Sequence, residues 1–559
     1  MQARTITTFL ILLALPCAVL ASSPAHHPPQ AAVASAHPLA TRAGMQVLAE
    51  GGNAFDAAVA VSAALSVVEP YSSGIGGGGF WLLHIAKGDR YTMVDGREYA
   101  PAAATATMYQ DKRGNVIEGL SLDGPLSAAI PGEPAALVYL NKHYGKLTLA
   151  QDLAPAIKLA RDGFPLDRMF QAMIASHVDK LKQSPAAAAV FLDHGEAPAT
   201  GWLLKQPDLA NTLELIAKHG EAGFYQGALA KKLVDGMRAA GGIWSLSDLS
   251  DYQVKERTPL VGEYHGMKIV SAPPPSSGGI VLLETLNILS GYDLNQDSDL
   301  MRKHLIIEAM RHAYRDRAEY LGDPDFVKMP IERLLSPYYA AGLRTSILAD
   351  RATPSNNLAS VTVTKPESNH TTHISIMDKQ GNEVAATFTV NFRFGSGFMP
   401  PGTGVLLNDE MDDFVSKPGV PNGFGLVGND ANAIAPHKRP LSSMTPTFLQ
   451  TTNGQAILGT PGGSRIISMV LLGTLDYFNG GDAESIVSTP RYHMQYLPDV
   501  VFYEPGAFTA DEIIGLENMG YHLHQTGTYG NMQAITWDYK SGKVTAAADP
   551  RDIGSAEVK

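Results

Sequence analysis

Three consecutive residues, Thr371-Thr372-His373, place a hydroxyl nucleophile at the start of a predicted strand. A threonine hydroxyl attacks an amide only after a base has taken its proton. If the peptide bond before Thr371 is cut, the freed α-amine can be that base, because its ordinary pKa of about 7.7–8.0 is close to neutral pH. No His or Asp partner is then required. The tripeptide alone also fits an ordinary strand, since threonine favours strands.

Other common catalytic and nucleotide-binding motifs do not account for the chain. It contains no G-x-S-x-G, H-E-x-x-H or G-x-x-x-x-G-K-[ST] pattern. Gly74, Gly76 and Gly79 match G-x-G-x-x-G, but this loop follows a predicted helix and precedes a strand, the reverse of a dinucleotide site. Residues 423–428 match it too, in a loop with no clear helix after it. Tight turns and close backbone packing explain both matches better.

A hairpin is predicted to position Thr371. Residues 371–377 and 383–390 form its strands, around a turn at 378–382 that contains Gly381. Thr389 and Asn391 then lie on the second strand with their side chains on one face, where they can reach the nucleophile and a substrate carbonyl. Solvent-facing strand residues would show the same spacing.

Two glycines after Pro461 precede a helix predicted over residues 463–478. Bare backbone N–H groups of Gly462 and Gly463 at a positive helix end can stabilise an oxyanion. A routine turn from strand to helix would look the same.

Further polar residues suit the two charged ends of an amino acid. Arg97 ends a predicted strand and can grip a carboxylate with two hydrogen bonds. Ser442 and Ser443 add hydroxyl donors, while Glu410 and Asp413 supply negative charge for an ammonium group. A surface arginine, a serine turn and a solvated acidic turn are the ordinary alternatives. The acidic run lacks the alternating ligand spacing of a calcium loop, so we predict no metal and no cofactor.

The composition limits the possible partners and the compartment. The chain has 559 residues with a formal net charge of -12, which argues against nucleic acid or an anionic membrane as the main partner. Residues 1–21 resemble a signal peptide, with Arg4 before an apolar run too short to span a membrane comfortably. A bacterial periplasmic or secreted protein without a membrane segment in its mature form is predicted; a retained anchor is the alternative. The only cysteine, Cys17, lies inside this segment, which excludes disulfides and a thiol nucleophile from the mature protein.

The remaining elements predict an α/β (α+β) fold with helices and strands in separate blocks. Residues 22–38 are predicted to be a disordered lead-in. Helices are predicted over 41–50, 54–68, 149–161, 209–219, 229–240, 279–289 and 303–320, and further strands over 80–85, 91–98 and 455–458. Residues 348–370 lack apolar periodicity and are predicted to be an extended, exposed linker that feeds the strand at Thr371. Cleavage between His370 and Thr371 would explain why an exposed linker leads directly into a strand.

Several motifs together resemble the γ-glutamyltransferase family, also called glutathione hydrolases. They are Thr371-Thr372-His373, residues 408–414 (NDEMDDF), 440–444 (PLSSM) and 461–465 (PGGSR), supported by 72–80, 95–98, 417–422 and 548–551. The motifs occur in the family's order over nearly all the chain after the signal segment. The resemblance is therefore far more specific than any single motif.

The resemblance implies a four-layer αββα N-terminal-nucleophile hydrolase. Its precursor would cut itself before Thr371 into a large subunit, 22–370, and a small subunit, 371–559, which stay intertwined as a heterodimer. Substrates would be glutathione and other γ-glutamyl amides, with water, amino acids or dipeptides as acceptors. By the same resemblance Thr371 is the nucleophile with Thr389 beside it, and Gly462 and Gly463 are the oxyanion donors. The α-carboxylate of the substrate would be held by Arg97, Ser442 and Ser443, and its α-amine by Asn391, Glu410 and Asp413. Residues 417–430 would form a lid.

Three positions depart from the family pattern. Glu410 stands where bacterial relatives often have Gln, Phe424 stands in the lid where Tyr is common, and Arg393 adds a charge near the site. Because of these departures the resemblance does not determine acceptor preference or lid behaviour, whereas the chemistry it implies is unchanged. A related acylase of glutaryl or β-lactam side-chain amides and an unprocessed, non-catalytic binding protein are the alternative functions.

Overall fold

The computed structural model describes residues 27–358 and 371–559. The predicted signal segment, Cys17 and His370 lie outside the described residues. The strands are β1 Ala32–Ser35, β2 Gly78–Ile85, β3 Arg90–Gly96, β4 Phe164–Pro165, β5 Leu203–Leu204, β6 Lys255–Arg257, β7 Leu260–Tyr264, β8 Met267–Ser271, β9 Thr372–Met377, β10 Glu383–Thr389, β11 Thr447–Gln450, β12 Gly454–Gly459, β13 Tyr492–His493, β14 Val501–Tyr503, β15 Leu523–Gln525, β16 Gln533–Asp538, β17 Val544–Ala548 and β18 Ser555–Val558.

The eight predicted helices are all present, with ends within four residues of the predicted ones, and the described residues form ten further helices that were not predicted. The helices are α1 Pro38–Ala49, α2 Ala54–Val68, α3 Glu133–Tyr144, α4 Leu149–Asp162, α5 Arg168–Ser176, α6 Val178–Lys182, α7 Pro185–Phe191, α8 Pro207–His219, α9 Ala222–Tyr225, α10 Gly227–Ala239, α11 Leu246–Ser250, α12 Gly278–Leu289, α13 Asp299–Tyr320, α14 Ile331–Leu334, α15 Pro337–Arg344, α16 Ile466–Phe478, α17 Ala483–Ser488 and α18 Ala510–Asn518. Helix α2 shows how residues close in sequence determine where a helix begins and ends. Asn53 and Asp56 form a capping box at its start, and Pro70 follows its end.

Two antiparallel sheets form the centre of the molecule. The first has the order β18-β1-β9-β10-β2-β3-β6 and the second β17-β16-β12-β11-β8-β7. One face of the first sheet, with Val33 and Ile374, packs on the helices that include α1 and α2; its other face packs on the second sheet. Helices α12, α13 and α16 cover the far side of the second sheet. The four-layer αββα prediction is confirmed.

The predicted hairpin is the middle of the first sheet. Strands β9 and β10 pair with each other, and Phe388 lies opposite Thr372. The turn is held by Asp378, whose Oδ1 accepts from the amides of Gln380 and Asn382, while Gly381 has φ 84°. Because strands flank the hairpin on both sides and sheets or helices cover both faces, every residue of β9 and β10 is buried.

The predicted disorder of residues 22–38 is wrong for the part that the structure describes. Strand β1 lies between β9 and β18, and α1 begins at Pro38. Four small residues carry little local signal for a strand, and their order comes from backbone pairing with segments more than 300 residues away.

The predicted linker is only partly exposed. Within its described part, 348–358, Ser355 is buried, its Oγ donates to the Tyr496 carbonyl at 2.6 Å and its amide donates to Asp499 Oδ2 at 2.8 Å. These contacts tie the start of the linker to the body of the protein. Among residues 27–358 and 371–559, no helix is long and apolar enough to cross a membrane.

Candidate active site

One small cavity brings most of the predicted site residues together. Its lining comprises Arg97, Thr371, Thr389, Asn391, Glu410, Asp413, Phe424, Leu426, Ser442, Ser443, Met444, Gly463 and Ile466. These residues come from the first sheet and its strand ends, from the segment before β11, from the start of α16, from the acidic residues 410–413 and from the predicted lid, so only the folded chain forms the cavity.

Thr371 lies at the head of β9, buried and in this cavity. The register that pairs Phe388 with Thr372 puts Thr389 opposite Thr371, one position further along the hairpin. The backbone N–H of Asn391 donates to Thr389 Oγ1 at 2.9 Å. The predicted placement of Asn391 on the strand is wrong, because β10 ends at Thr389 and Asn391 has φ 75°. It reaches the cavity from a left-handed turn instead.

The two glycines begin a helical segment at the cavity. Gly462 has φ 147° and Gly463 has φ 56°, conformations in which a side chain would be strained. Gly463 starts a short 3-10 turn that runs into α16, so its amide lies at a positive helix end. A Cβ on Gly463 would overlap the ring of Phe424. Only Gly463 lines the cavity, with Gly462 next to it in sequence, and their oxyanion role stays a prediction.

Arg97 lies fully buried between three carboxylates. Its guanidinium forms close ion pairs with Glu410 and Asp413, Glu98 lies 3.6 Å away, and its Nε donates to the Pro440 carbonyl at 3.2 Å. Burial opposes the charge of Arg97, but the carboxylates raise its pKa above the usual value. Burial also raises the pKa of Glu410 and of Asp413, although Arg97 opposes both shifts. The predicted carboxylate grip and ammonium grip are therefore in direct contact.

One serine of the pair, Ser443, is in contact with an arginine that was not predicted as a site residue. Arg317 of α13 donates to Ser443 Oγ at 3.2 Å and to Ser277 Oγ at 2.9 Å. Ser442 Oγ accepts from the amide of Met444 at 3.1 Å. An arginine in the last turn of a helix is explained by the helix dipole alone, so no local signal marked Arg317 as a site residue.

The predicted lid contacts the cavity through Phe424. Its ring stacks on Phe392, with centroids 4.4 Å apart, and its carbonyl accepts from Gln495 at 3.3 Å. The neighbouring Gly423 amide donates to Asp412 Oδ2 at 2.8 Å. These contacts hold residues 417–430 over Gly463; whether the segment moves stays a prediction.

Arg393 lies outside the cavity lining, on the other side of the hairpin end. Its Nη1 donates to Ser72 Oγ at 3.1 Å, and its guanidinium lies 5.3 Å from the centre of the Tyr71 ring. The nearby glycine loop packs tightly on neighbouring backbone. A Cβ on Gly76 would overlap the Leu406 carbonyl, and one on Gly79 would overlap the Thr387 carbonyl, so close backbone packing accounts for these two glycines.

Two stacked antiparallel sheets between helices, with a threonine at the head of a buried central strand, define an N-terminal-nucleophile hydrolase. The family model described as Gamma-glutamyltranspeptidase matches residues 40–558, so the chain belongs to the gamma-glutamyltranspeptidase family and is an enzyme. The family resemblance seen in the sequence is confirmed.

Similar proteins agree with this membership. The chain is 46% identical to a glutathione hydrolase proenzyme of Pseudomonas sp. (strain A14), over 93% of this chain and 92% of that protein. It is 41% identical to the glutathione hydrolase proenzyme of Escherichia coli (strain K12), over 94% and 91%. The crystal structure of cephalosporin acylase from Bacillus halodurans has a TM-score of 0.83 at 27% identity, covering 98% of this chain and 99% of that one.

Proposed function

We propose that the chain cleaves itself between His370 and Thr371, and that Thr371 then transfers γ-glutamyl groups from glutathione and other γ-glutamyl amides. The observation that carries the proposal is the shared cavity of Thr371 and the Arg97–Glu410–Asp413 cluster. A nucleophile next to paired positive and negative groups suits a substrate that carries both charges. The names of the relatives, which describe hydrolases made as proenzymes, support the same function.

Cleavage comes first. Thr371 Oγ attacks the carbonyl carbon of His370, the bond from that carbon to the Thr371 nitrogen breaks, and an ester replaces the amide. Water then hydrolyses the ester, leaving a carboxylate on His370 and a free amine on Thr371. That amine becomes the base that removes the hydroxyl proton in later turnovers.

Transfer follows the same chemistry on the substrate. Thr371 Oγ attacks the γ-amide carbon, the amine product leaves with a proton from the Thr371 ammonium, and a γ-glutamyl ester remains. Gly462 and Gly463 donate to the oxyanion, the contribution that is usually largest in acyl transfer. Water, an amino acid or a dipeptide then attacks the ester and frees Thr371.

Recognition rests on both ends of the glutamyl group. Arg97, Ser442 and Ser443 bind the α-carboxylate, while Asn391, Glu410 and Asp413 bind the α-ammonium. Substrate binding exchanges the internal ion pairs of Arg97 for pairs with the substrate. An analogue that lacks one charge leaves a buried group unpaired, which penalises its binding.

The sheet order supports two subunits that remain together after cleavage. Strands β9 and β10 of the proposed small subunit lie between β1 and β2 of the large one. Their backbone hydrogen bonds to β1 and β2 do not depend on the bond before Thr371. A periplasmic or secreted heterodimer of 22–370 and 371–559 is the proposed mature form.

Denaturing gels and N-terminal sequencing test the proposal. The wild type should give two bands, with the smaller beginning at Thr371, and Thr371→Ala should give one band without activity. Mature protein that hydrolyses γ-glutamyl compounds as a single polypeptide would contradict the mechanism. An inactive, uncleaved wild type would instead indicate a binding protein.

An acylase is the second candidate, because the cephalosporin acylase structure is so similar. Its side-chain substrate would not need a grip for an α-ammonium group. Initial rates on γ-glutamyl and glutaryl anilides separate the two functions, and we expect a preference for the γ-glutamyl compound. Faster hydrolysis of the glutaryl compound would favour the acylase.

A further inference from the structure

The hairpin face opposite the cavity carries a buried carboxylate that the proposed mechanism does not use. Thr372 Oγ1 donates to Glu69 Oε2 at 2.8 Å, and both residues are buried. Glu69 is the C-cap of α2, where the helix dipole disfavours a negative charge. Burial and the helix dipole both oppose an ionised carboxylate at Glu69. An acidic residue at such a position, in contact with the neighbour of the nucleophile, suggests that Glu69 has a function there.

Three polar groups, Asp552, Arg393 and Ser72, lie around this contact. Burial and then Asp552 raise the pKa of Glu69 to about 8, while the Thr372 hydrogen bond, Arg393 and Ser72 oppose that rise. Arg393 in turn donates to Ser72 Oγ and lies over the Tyr71 ring. We call Glu69, Thr372, Arg393 and Asp552 the anchor cluster. Arg393, one of the three departures from the family pattern, supplies its positive charge.

Strand geometry links this cluster to Thr371. Successive side chains of a strand point to opposite faces. Thr372 shares its face with Ile374, which packs toward the helix layer, whereas His373 faces Gly459 of the second sheet. Thr371 lies on the same side as His373 and in the cavity. Fixing Thr372 on one face therefore sets the direction of Thr371 on the other.

We propose that Glu69 is a positioning residue that orients Thr371 through its hydrogen bond with the hydroxyl of Thr372. The inference rests on the proposed function of Thr371. In the precursor the chain continues on both sides of Thr371. After cleavage residue 371 is a chain end, and the hydrogen bond from Thr372 to Glu69 helps to hold the residue next to it. Misplacing a reacting group by about 1 Å can cost about 10²-fold in rate.

Isosteric changes at Thr372 test the anchor. Thr372→Val keeps the shape but removes the donor, and it should slow self-cleavage and lower kcat by about 10- to 100-fold with KM unchanged. Thr372→Ser restores the donor and should recover both rates to within about threefold. Glu69→Gln keeps an acceptor and should resemble Thr372→Ser, while Glu69→Leu should resemble Thr372→Val. Melting temperatures of each variant separate loss of folding from loss of positioning.

The double mutant Glu69→Leu/Thr372→Val tests whether the loss of kcat comes from the missing hydrogen bond. If the hydrogen bond is responsible, Thr372→Val should cause little further loss of kcat in the Glu69→Leu background, because the contact is already gone. Wild-type rates for Thr372→Val, a rise in KM without a change in kcat, or fully additive losses would each overturn the inference. An uncleaved and inactive wild type would instead overturn the proposed function itself.

Discussion

Two charge clusters lie on opposite sides of residue 371, and each places one arginine among acidic side chains: Arg97 among Glu98, Glu410 and Asp413, and Arg393 near Glu69 and Asp552. In the cavity, Arg97 pairs directly with Glu410 and Asp413. In the anchor cluster, Arg393 instead donates to Ser72 and lies over Tyr71, and it acts on Glu69 and Asp552 through charge. The compositions are alike, but the contacts differ.

The difference indicates two separate tasks. Ion pairs in the cavity can be exchanged for the two charges of a substrate, and we therefore propose that the Arg97 cluster binds the substrate. The anchor cluster holds a hydroxyl of the chain itself. Changes in the first should therefore act mainly on substrate affinity, and changes in the second mainly on the rate of the chemical step.

The strongest test of this distinction is removal of the cavity arginine. Arg97→Met should lower kcat/KM for a γ-glutamyl anilide by about 10³-fold, mostly through KM, because the α-carboxylate loses its partner and the buried carboxylates stay uncompensated. Arg393→Met is the matched control, and its KM should remain within about threefold of wild type. Initial-rate kinetics measure both.

Stability must be separated from binding in that experiment. Removing one partner of a buried ion pair costs about 3–5 kcal/mol, so Arg97→Met should melt at a lower temperature. Adding Glu410→Gln should recover part of the melting temperature without restoring KM. An Arg97→Met enzyme with nearly normal KM would show that the cavity cluster does not bind the substrate carboxylate.

The sequence predicted the parts of this site that depend on local pattern. The hairpin turn at Gly381, the helix with its Asn53 cap and the glycines of the cavity all follow from short-range chemistry. Contacts between segments that are distant in sequence could not be predicted in this way. Glu69 and Thr372 are 303 positions apart, and no periodicity in either segment indicates that they meet. Arg317 was missed for the same reason.

A smaller effect should appear in the pH dependence of stability. The pKa of Glu69 is raised to about 8, so the folded state holds a proton that the unfolded state releases above its ordinary pKa near 4.5. This stabilisation is complete below pH 4.5 and is lost as pH rises toward about 8. Glu69→Gln should flatten the fall by up to about 1.4 kcal/mol per pH unit.

Denaturant unfolding at several pH values measures that slope. Arg393→Met gives the internal comparison, since losing the opposing positive charge should extend the fall to higher pH. An unchanged slope in Glu69→Gln would mean that the carboxylate is ionised in the folded protein. The anchor cluster would then resemble the cavity cluster more closely than its contacts suggest.

The smallest effect is expected at the uncharged contact between the lid and the hairpin. Phe392 stacks on Phe424 at 4.4 Å, and such a pair contributes about 0.5–1.5 kcal/mol beyond its buried area. Phe392→Leu should therefore raise KM about two- to tenfold while self-cleavage stays normal, if residues 417–430 cover the substrate, as proposed, and not the 371–372 peptide. Phe392→Tyr, which keeps the ring, is the control. A Phe392→Leu variant that slows self-cleavage as much as Thr372→Val would show that the lid and the anchor are coupled through the hairpin end, and the division between binding and positioning would fail there.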